Sequence, residues 1–397
     1  MTIYRAYRTE LQPNNHQRTD LMRHVGTARF VYNWGLAQKQ QAYKSGQKTP
    51  SAFDLSRILN SIKANEFPWM YEVSKCAAQE SLKNLDRAYQ NFFRNCRTQK
   101  KQKGFPQFKS KAVGLGSCRL TGAIHVSPTH IQLPRLGLIR LRQHGYLPTA
   151  DVKILSATVS ERAGRWFVSL QVQRDIPDPF PKPESIVGVD LGIKTLAVCS
   201  DGTEYANPKA LRSHLKRLKH YQRLMSHKQN KSRNRQKAKQ KVARLHLHIS
   251  NIRKDCLHKL TTRLTKTNST VVIEDLHVAG MLRNHRLAQA ISDVGFGEFR
   301  RQLTYKGLWY GCEIVVAPRF YPSSKLCSDC GLINEDLTLK ERVWTCECGA
   351  VHDRDRNAAI NLKSLAGRSP ERLNARRETR PLVESSDPSK SVSMTQE

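Results

Sequence analysis

The chain has 397 residues, 39% of them hydrophobic, enough to bury a full core and long enough for two or three domains. Its 67 Lys and Arg against 33 Asp and Glu leave a formal charge of +34, a self-repulsive excess that a polyanion, ordinarily nucleic acid, would neutralise. Basic residues run through the whole chain, no long apolar run is present and "MTIYRAYRTE" lacks a signal peptide's apolar region, so a membrane partner is not expected and a cytoplasmic, nucleoid-associated location is.

The alternation in "IYRAYRTEL" predicts a strand, and "PNNHQ" then opens a helix through "LMRHVGTARFVYNWGLAQKQQAY". Further helices are predicted over 51–64 and 75–96, making 12–100 a mostly helical domain in which Tyr89, Phe92 and Phe93 fall at helical spacing and are expected to pack inward. From 116 to 174, short alternating runs separated by Gly, Pro and polar turns predict a small β-barrel, into which the N-terminal strand could also pair. The prolines of "DIPDPFPKPES" mark a linker, since they cannot join a sheet ladder. After it, "IVGVDLGIKTLAVCSDGTEYA" reads as an apolar strand carrying Asp190, a second apolar run and an Asp-Gly hairpin turn at Asp201 and Gly202. No acidic residue occurs from Tyr205 through Lys254, where two helical patterns flank the polar hinge "HKQNKSRN"; so basic a stretch points to a nucleic-acid face. A strand, "STVVIED", a helix over about 287–309 and another strand, "CEIVVA", follow. The tail from 368 to 397 is polar and predicted to be disordered.

Of ten cysteines, six stand singly, and four fall in two close pairs, a pattern of a reducing compartment and a metal instead of a disulfide framework. Cys327 and Cys330 form one knuckle, and Cys346 and Cys348 a second; each pair is followed by Gly, and four thiolates so spaced suit a structural zinc ribbon. The second knuckle is one residue short, which keeps His352 as a candidate substitute ligand. A lone carboxylate is costly in an apolar strand unless paired, hydrogen-bonded or on a metal, and Asp190 and Glu274 each end such a run. With a third acid ahead of the last helix, Asp353 or Asp355, they could hold two divalent ions for phosphodiester hydrolysis, with Mg²⁺ the natural occupant.

In order, "GTARFVYNWGLA", "GFPQFKSK", "GVDLGIKTLAVCSDG", "VVIEDL", "SSKLCSDCG", "WTCECG" and "HDRDRNAAINL" resemble the TnpB family of transposon-encoded RNA-guided DNA nucleases, relatives of compact type V CRISPR effectors. The resemblance covers nearly all of 1–366. It implies a multi-domain α+β chain: a wedge-type β-barrel (1–11 and 101–180) with an inserted helical recognition domain (12–100), then a RuvC-like nuclease domain of RNase H fold (181–320 and 351–367) interrupted by a zinc ribbon (321–350). It implies Asp190, Glu274 and Asp355 as catalytic, Mg²⁺-holding acids and Cys327, Cys330, Cys346 and Cys348 on zinc. Its implied partners are a guide RNA from the transposon end and double-stranded target DNA cut beside a short transposon-adjacent motif, the protein acting as a monomer within the ribonucleoprotein. The competing readings are a nuclease-inactive RNA-guided DNA-binding regulator, a transposase acting by strand transfer, and a zinc-ribbon nucleic-acid-binding protein.

If a helix begins near Asp353, three- and four-residue steps put Asp355, Ala358, Ala359, Leu362 and Ala366 on one face, small enough to lie close against a sheet. Asp353 is then expected as the helix cap, on the opposite side with Arg356, Asn357 and Ile360.

Overall fold

The computed structural model describes residues 1–98, 104–111, 114–180, 182–338, 340–367 and 371–372. The chain divides into two units, one of residues 1–177 with 231–244, the other of 178–230 with 245–397.

The first unit begins with β1 (Thr2–Gln12) and three helices, α1 (Asn15–Lys44), α2 (Ala52–Glu66) and α3 (Lys75–Arg97). Two of these starts are written in the sequence: Asn14 accepts from the Gln17 N–H while the Gln17 side chain returns to Asn14, and Ser51 and Asp54 do the same for α2. Val31, Leu36, Leu55, Leu82 and Leu85 pack these helices on one another. Six strands follow: β2 (Ser117–Leu120), β3 (His125–Val126), β4 (His130–Leu133), β5 (Gly137–Leu141), β6 (Lys153–Arg162) and β7 (Arg165–Asp175). The seven strands lie in the order β2-β6-β7-β1-β5-β4-β3, with β1 paired along nearly its whole length to β7, so the N-terminal strand does enter this sheet. Among the described residues no ladder joins the outer strands β2 and β3, so a closed barrel is not shown. Phe92 and Phe93 do not fill a core as expected: Phe93 is 52% exposed, and both rings gather on Phe105 or each other at the end of α3.

The second unit runs β8 (Ile186–Asp190), β9 (Thr195–Cys199), β10 (Glu204–Ala206), α4 (Ala210–Ser226), α5 (Arg233–Thr267, whose first part belongs to the other unit), β11 (Thr270–Ile273), α6 (Val278–Met281), α7 (Ala288–Val294), α8 (Phe296–Tyr310), β12 (Glu313–Val316), β13 (Val343–Thr345), β14 (Val351–Asp353), α9 (Arg354–Lys363) and β15 (Glu371–Arg372). The Asp-Gly turn joins β9 to β10 with Gly202 at φ 83°, a left-handed conformation that favours glycine. The single helix expected over 287–309 is broken in two by Gly295, whose φ of 82° ends α7 and starts α8. Of the tail, only β15 is described, paired antiparallel to β12; its remainder lies outside the described residues.

The main sheet is ordered β10-β9-β8-β11-β12-β15, an antiparallel meander through β8 followed by β11 and β12 parallel to it. Strand alternation sorts its side chains. Val187, Val189, Val271, Ile273, Ile314 and Val316 face Leu257, Leu260, Leu264, Phe299 and Leu303 of α5 and α8. The residues between them, Ile186, Val272 and Val315, meet Leu362 of α9 on the other side. Gly188 falls on that second face, and a Cβ there would lie 2.0 Å from the Ala359 carbonyl oxygen and 2.5 Å from the Lys363 nitrogen. The helix backbone is therefore seated directly on the strand, with Ala358 and Ala359 buried beneath it.

Gly188→Ala is expected to destabilise the chain by about 1–3 kcal/mol through overpacking. Gly26→Ala, in α1 with nothing within 4 Å of the added carbon, should be neutral or stabilising by about 0.5–1 kcal/mol. Chemical denaturation of the two variants checks the contrast.

Candidate active site

Alternation places the acids as well as the core. Asp190 closes β8 two residues after Gly188, and Glu274 follows β11 two residues after Val272, so both share the face that α9 covers. The last registered pair between these strands is Ile273 with Val189, which leaves Glu274 and Asp190 side by side at the sheet's end. Asp355 lies in the first turn of α9 above them.

These charges act on one another. Burial raises the Asp190 carboxyl well above its ordinary range, the negative charges of Glu274 and Asp355 push it further, and Arg354 and Arg342 oppose them. Burial also raises Glu274, against a hydrogen bond from Ser323 Oγ at 2.6 Å. Asp355 accepts from Arg342 Nη1 at 2.9 and 3.0 Å and lies 3.6 Å from Arg354 Nε. Three hard oxygen donors that repel one another in a partly dry site are a donor set that a divalent cation suits. Asp275 differs from its neighbour Glu274: burial works against its charge, yet Arg300 at 2.5 Å and Arg319 at 2.6 Å hold it below the usual carboxylate range.

The cysteines stand apart from the acids. Among the described residues, Cys327, Cys330, Cys346 and Cys348 are the one set of possible metal-ligating atoms all lying within 4.8 Å of one another. Cys327 and Cys348 are 3.8 Å apart, and Cys330 and Cys346 are 3.5 Å apart. Tetrahedral zinc with bonds of 2.3 Å requires sulfurs about 3.8 Å apart, so the four thiols fit a zinc ribbon. Gly331 and Gly349, at φ 80° and 87°, turn the two knuckles, so the short second pair still closes the set. His352 is buried with its Nε2 3.0 Å from Cys327 Sγ and its ring 4.8 Å from that of Trp344. With four sulfurs already assembled, it stands as the hydrogen-bonding neighbour of Cys327.

Asp353 caps α9, accepting from the Arg356 N–H at 2.9 Å. Asn357, expected on the side opposite Asp355, is there covered by the knuckle and 1% exposed. Its side chain donates to the Leu326 carbonyl at 2.7 Å and accepts from the Ser328 N–H at 3.0 Å. Asn361, one turn on, donates to the carbonyls of Ser323 at 2.8 Å and Leu326 at 2.6 Å. The first cysteine knuckle covers this side of α9, and the helical wheel could not know it. Ser323, Arg342, Asn357 and Asn361 were all missed by sequence reasoning; two asparagines four apart within a helix, where Asn is a poor helix former, were the one available signal.

Cys327→Ser is expected to lose bound zinc and loosen the ribbon, because structural zinc supplies folding free energy. Elemental analysis of wild type and variant reads it directly, and a zinc-free wild type would contradict the assignment. Asp353→Ala should cost about 1 kcal/mol by loss of the cap, read as a lowered denaturation midpoint.

Three family models match the chain: one described as a probable transposase (OrfB_IS605) over residues 158–285, a Cas12f1-like TNB domain over 296–362, and a helix-turn-helix domain over 1–48. The last of these segments is here a strand and one long helix, β1 and α1. A relative from Streptomyces pristinaespiralis is 40% identical over 91% of this chain and 89% of its own length, and one from Escherichia coli (strain K12), InsQ, is 34% identical over 91% and 92%. Both carry the name "Putative RNA-guided DNA endonuclease". Among solved structures, that of a Cas12f1–sgRNA–target DNA complex shares the fold at a TM-score of 0.54 with 14% identity, over 91% of this chain and 99% of that one. The full-length likeness to the two endonuclease relatives, with the transposase and TNB models side by side in one chain, establishes that this protein belongs to the TnpB family of transposon-encoded RNA-guided DNA endonucleases.

Proposed function

We propose that the chain is a transposon-encoded, RNA-guided endonuclease that hydrolyses double-stranded DNA beside a short transposon-adjacent motif. What supports this reading is that Asp190, at the end of β8, feels the negative charges of both Glu274, after the parallel strand β11, and Asp355, in the first turn of α9. The meander followed by two parallel strands supports an RNase H-like, RuvC-type nuclease domain over 181–320 and 351–367, with the ribbon of 321–350 between its parts. In the same reading, the seven-stranded sheet serves as the wedge (1–11 and 101–180) and α1 to α3 as the recognition domain (12–100).

The three carboxylates would hold Mg²⁺ ions, which would supply charge to activate the attacking water and to stabilise the leaving oxygen. Ser323 fixes the Glu274 carboxylate by donating to one of its oxygens, leaving the other for metal. Asp190 presents its carboxylate from the rigid end of β8. Arg342, now on Asp355, supplies a positive charge at the mouth of the site that a phosphate could take over. The guide is an RNA transcribed from the transposon end, held as a monomeric ribonucleoprotein in the cytoplasm at the nucleoid. Base pairing then reads the target, which suits a chain of +34 charge with its acid-free stretch in α4 and α5.

Asp190→Ala, Glu274→Ala and Asp355→Ala should each lower Mg²⁺-dependent cleavage by at least about a hundredfold while leaving RNA and target binding largely intact. Asp353→Ala should still cut. An active Asp355→Ala protein would overturn the triad, and joined transposon ends in place of hydrolysed DNA would favour strand transfer. RNA affinity should fall steeply with salt because many Lys and Arg displace counterions; a flat titration would contradict the polyanion reading.

A further inference from the structure

A cavity of about 530 Å³ opens in the first unit between α1 and the segments 107–110 and 114–117, far in sequence from the three acids and from both cysteine knuckles. Its floor is apolar, with Val25 and Ala28 of α1 at 2% and 5% exposure. Its rim carries Arg29, Gln107, Phe108 and Lys109, and the Phe108 ring is 54% exposed. No Asp, Glu, His or Cys is among the described residues that line it, so this lining offers no side chain typical of a metal ligand.

The walls are tied together without ligand. Asn33 of α1 donates to the Lys109 carbonyl at 2.9 Å and accepts from the Lys109 N–H at 2.8 Å, and Arg29 donates to the Leu115 carbonyl at 3.2 Å. The cavity is thus preformed, which lowers the ordering cost of binding. Its two cations find no carboxylate among the described residues: Arg29 meets only a carbonyl, and the Lys109 ammonium sits 3.7 Å over the Tyr32 ring. An aromatic face, an apolar floor, an amide able to donate and accept, and two uncompensated cations are together the complement of one nucleobase with its phosphate. The volume lies within the range of small-ligand sites, about 300–1,000 Å³, too small for a duplex and ample for one nucleotide.

We propose that this cavity is a capture site for a single unpaired nucleotide of bound nucleic acid, the base stacked on Phe108 and the phosphate held by Arg29 and Lys109. The inference rests on the nucleic-acid-binding part of the function above but not on the carboxylate site. A nucleotide drawn out of its stack here would fix the register of the bound strand on the first unit, because a pocket for one base admits no sliding.

The test uses the full chain assembled with RNA and target DNA in two arms, one with 4-thiouridine in the guide RNA and one with 4-thiothymidine in the DNA. After irradiation, mass spectrometry is expected to find a crosslink on the peptide containing Phe108 in at least one arm, and the arm names the strand. Phe108→Ala should cut that crosslink by roughly 5- to 150-fold, the worth of one base stack, and Phe108→Trp should restore it. Lys109→Gln should reduce the salt slope of binding by about one phosphate's share. Normal complex formation without a crosslink on that peptide in either arm, or a crosslink indifferent to Phe108→Ala, would overturn the proposal and leave the function standing. A protein that binds no RNA at all would overturn both.

Discussion

The second unit depends on one close approach: the backbone of α9 against the backbone of β8, possible because position 188 has no side chain. Strand register sets Asp190 beside Glu274, and this approach brings Asp355 to them. A helix held off by even one methyl group would lift Asp355 away from Asp190 and empty the space beneath Ala358 and Ala359. The same helix carries Asn357 and Asn361, whose carboxamides fasten the first cysteine knuckle and the Ser323 segment to its other side. One ten-residue helix therefore joins the sheet, the ribbon and the acids, and the position of Glu274's partner Ser323 is set by the same contacts.

The charge distribution has two scales. Over the whole chain, positive charge dominates and favours a polyanionic partner. Within the site the sign is reversed, with burial and then the charges of Glu274 and Asp355 raising Asp190 while Arg342 and Arg354 oppose them. A basic surface draws the phosphate backbone in, and an acidic centre requires a cation there before phosphate can be tolerated.

Much of this was legible because short-range rules govern it. The Asp353 cap stands where its sequence pattern puts it, and the helices opened by "PNNHQ" and near 51 begin with equally local hydrogen bonds, at Asn14 and Ser51, between residues three apart. The strand residues carrying Asp190 and Glu274 were visible as apolar runs, and the cysteine spacing announced a metal cluster. What escaped were contacts made across the chain. Nothing local in Arg342 marks it as a partner of Asp355, thirteen positions away through a ribbon. The helical wheel put Asn357 opposite the sheet but could not show its partner there, because α9 has the sheet on one side and the knuckle on another. Gly295 was legible as a glycine but not as a break, since helices often tolerate one. Sheet closure also depends on how distant outer strands meet, which alternation within each strand does not encode.

The central claim is that Asp190, Glu274 and Asp355 hold one metal centre. Replacing Mg²⁺ by Fe²⁺ with ascorbate and peroxide generates hydroxyl radicals at the bound ion, which cut the polypeptide nearest to it. The account predicts protein fragments ending near residues 190, 274 and 355 together, suppressed by excess Mg²⁺ and absent in Asp190→Ala. Cuts confined to the cysteine ribbon, or unchanged by Asp190→Ala, would contradict it.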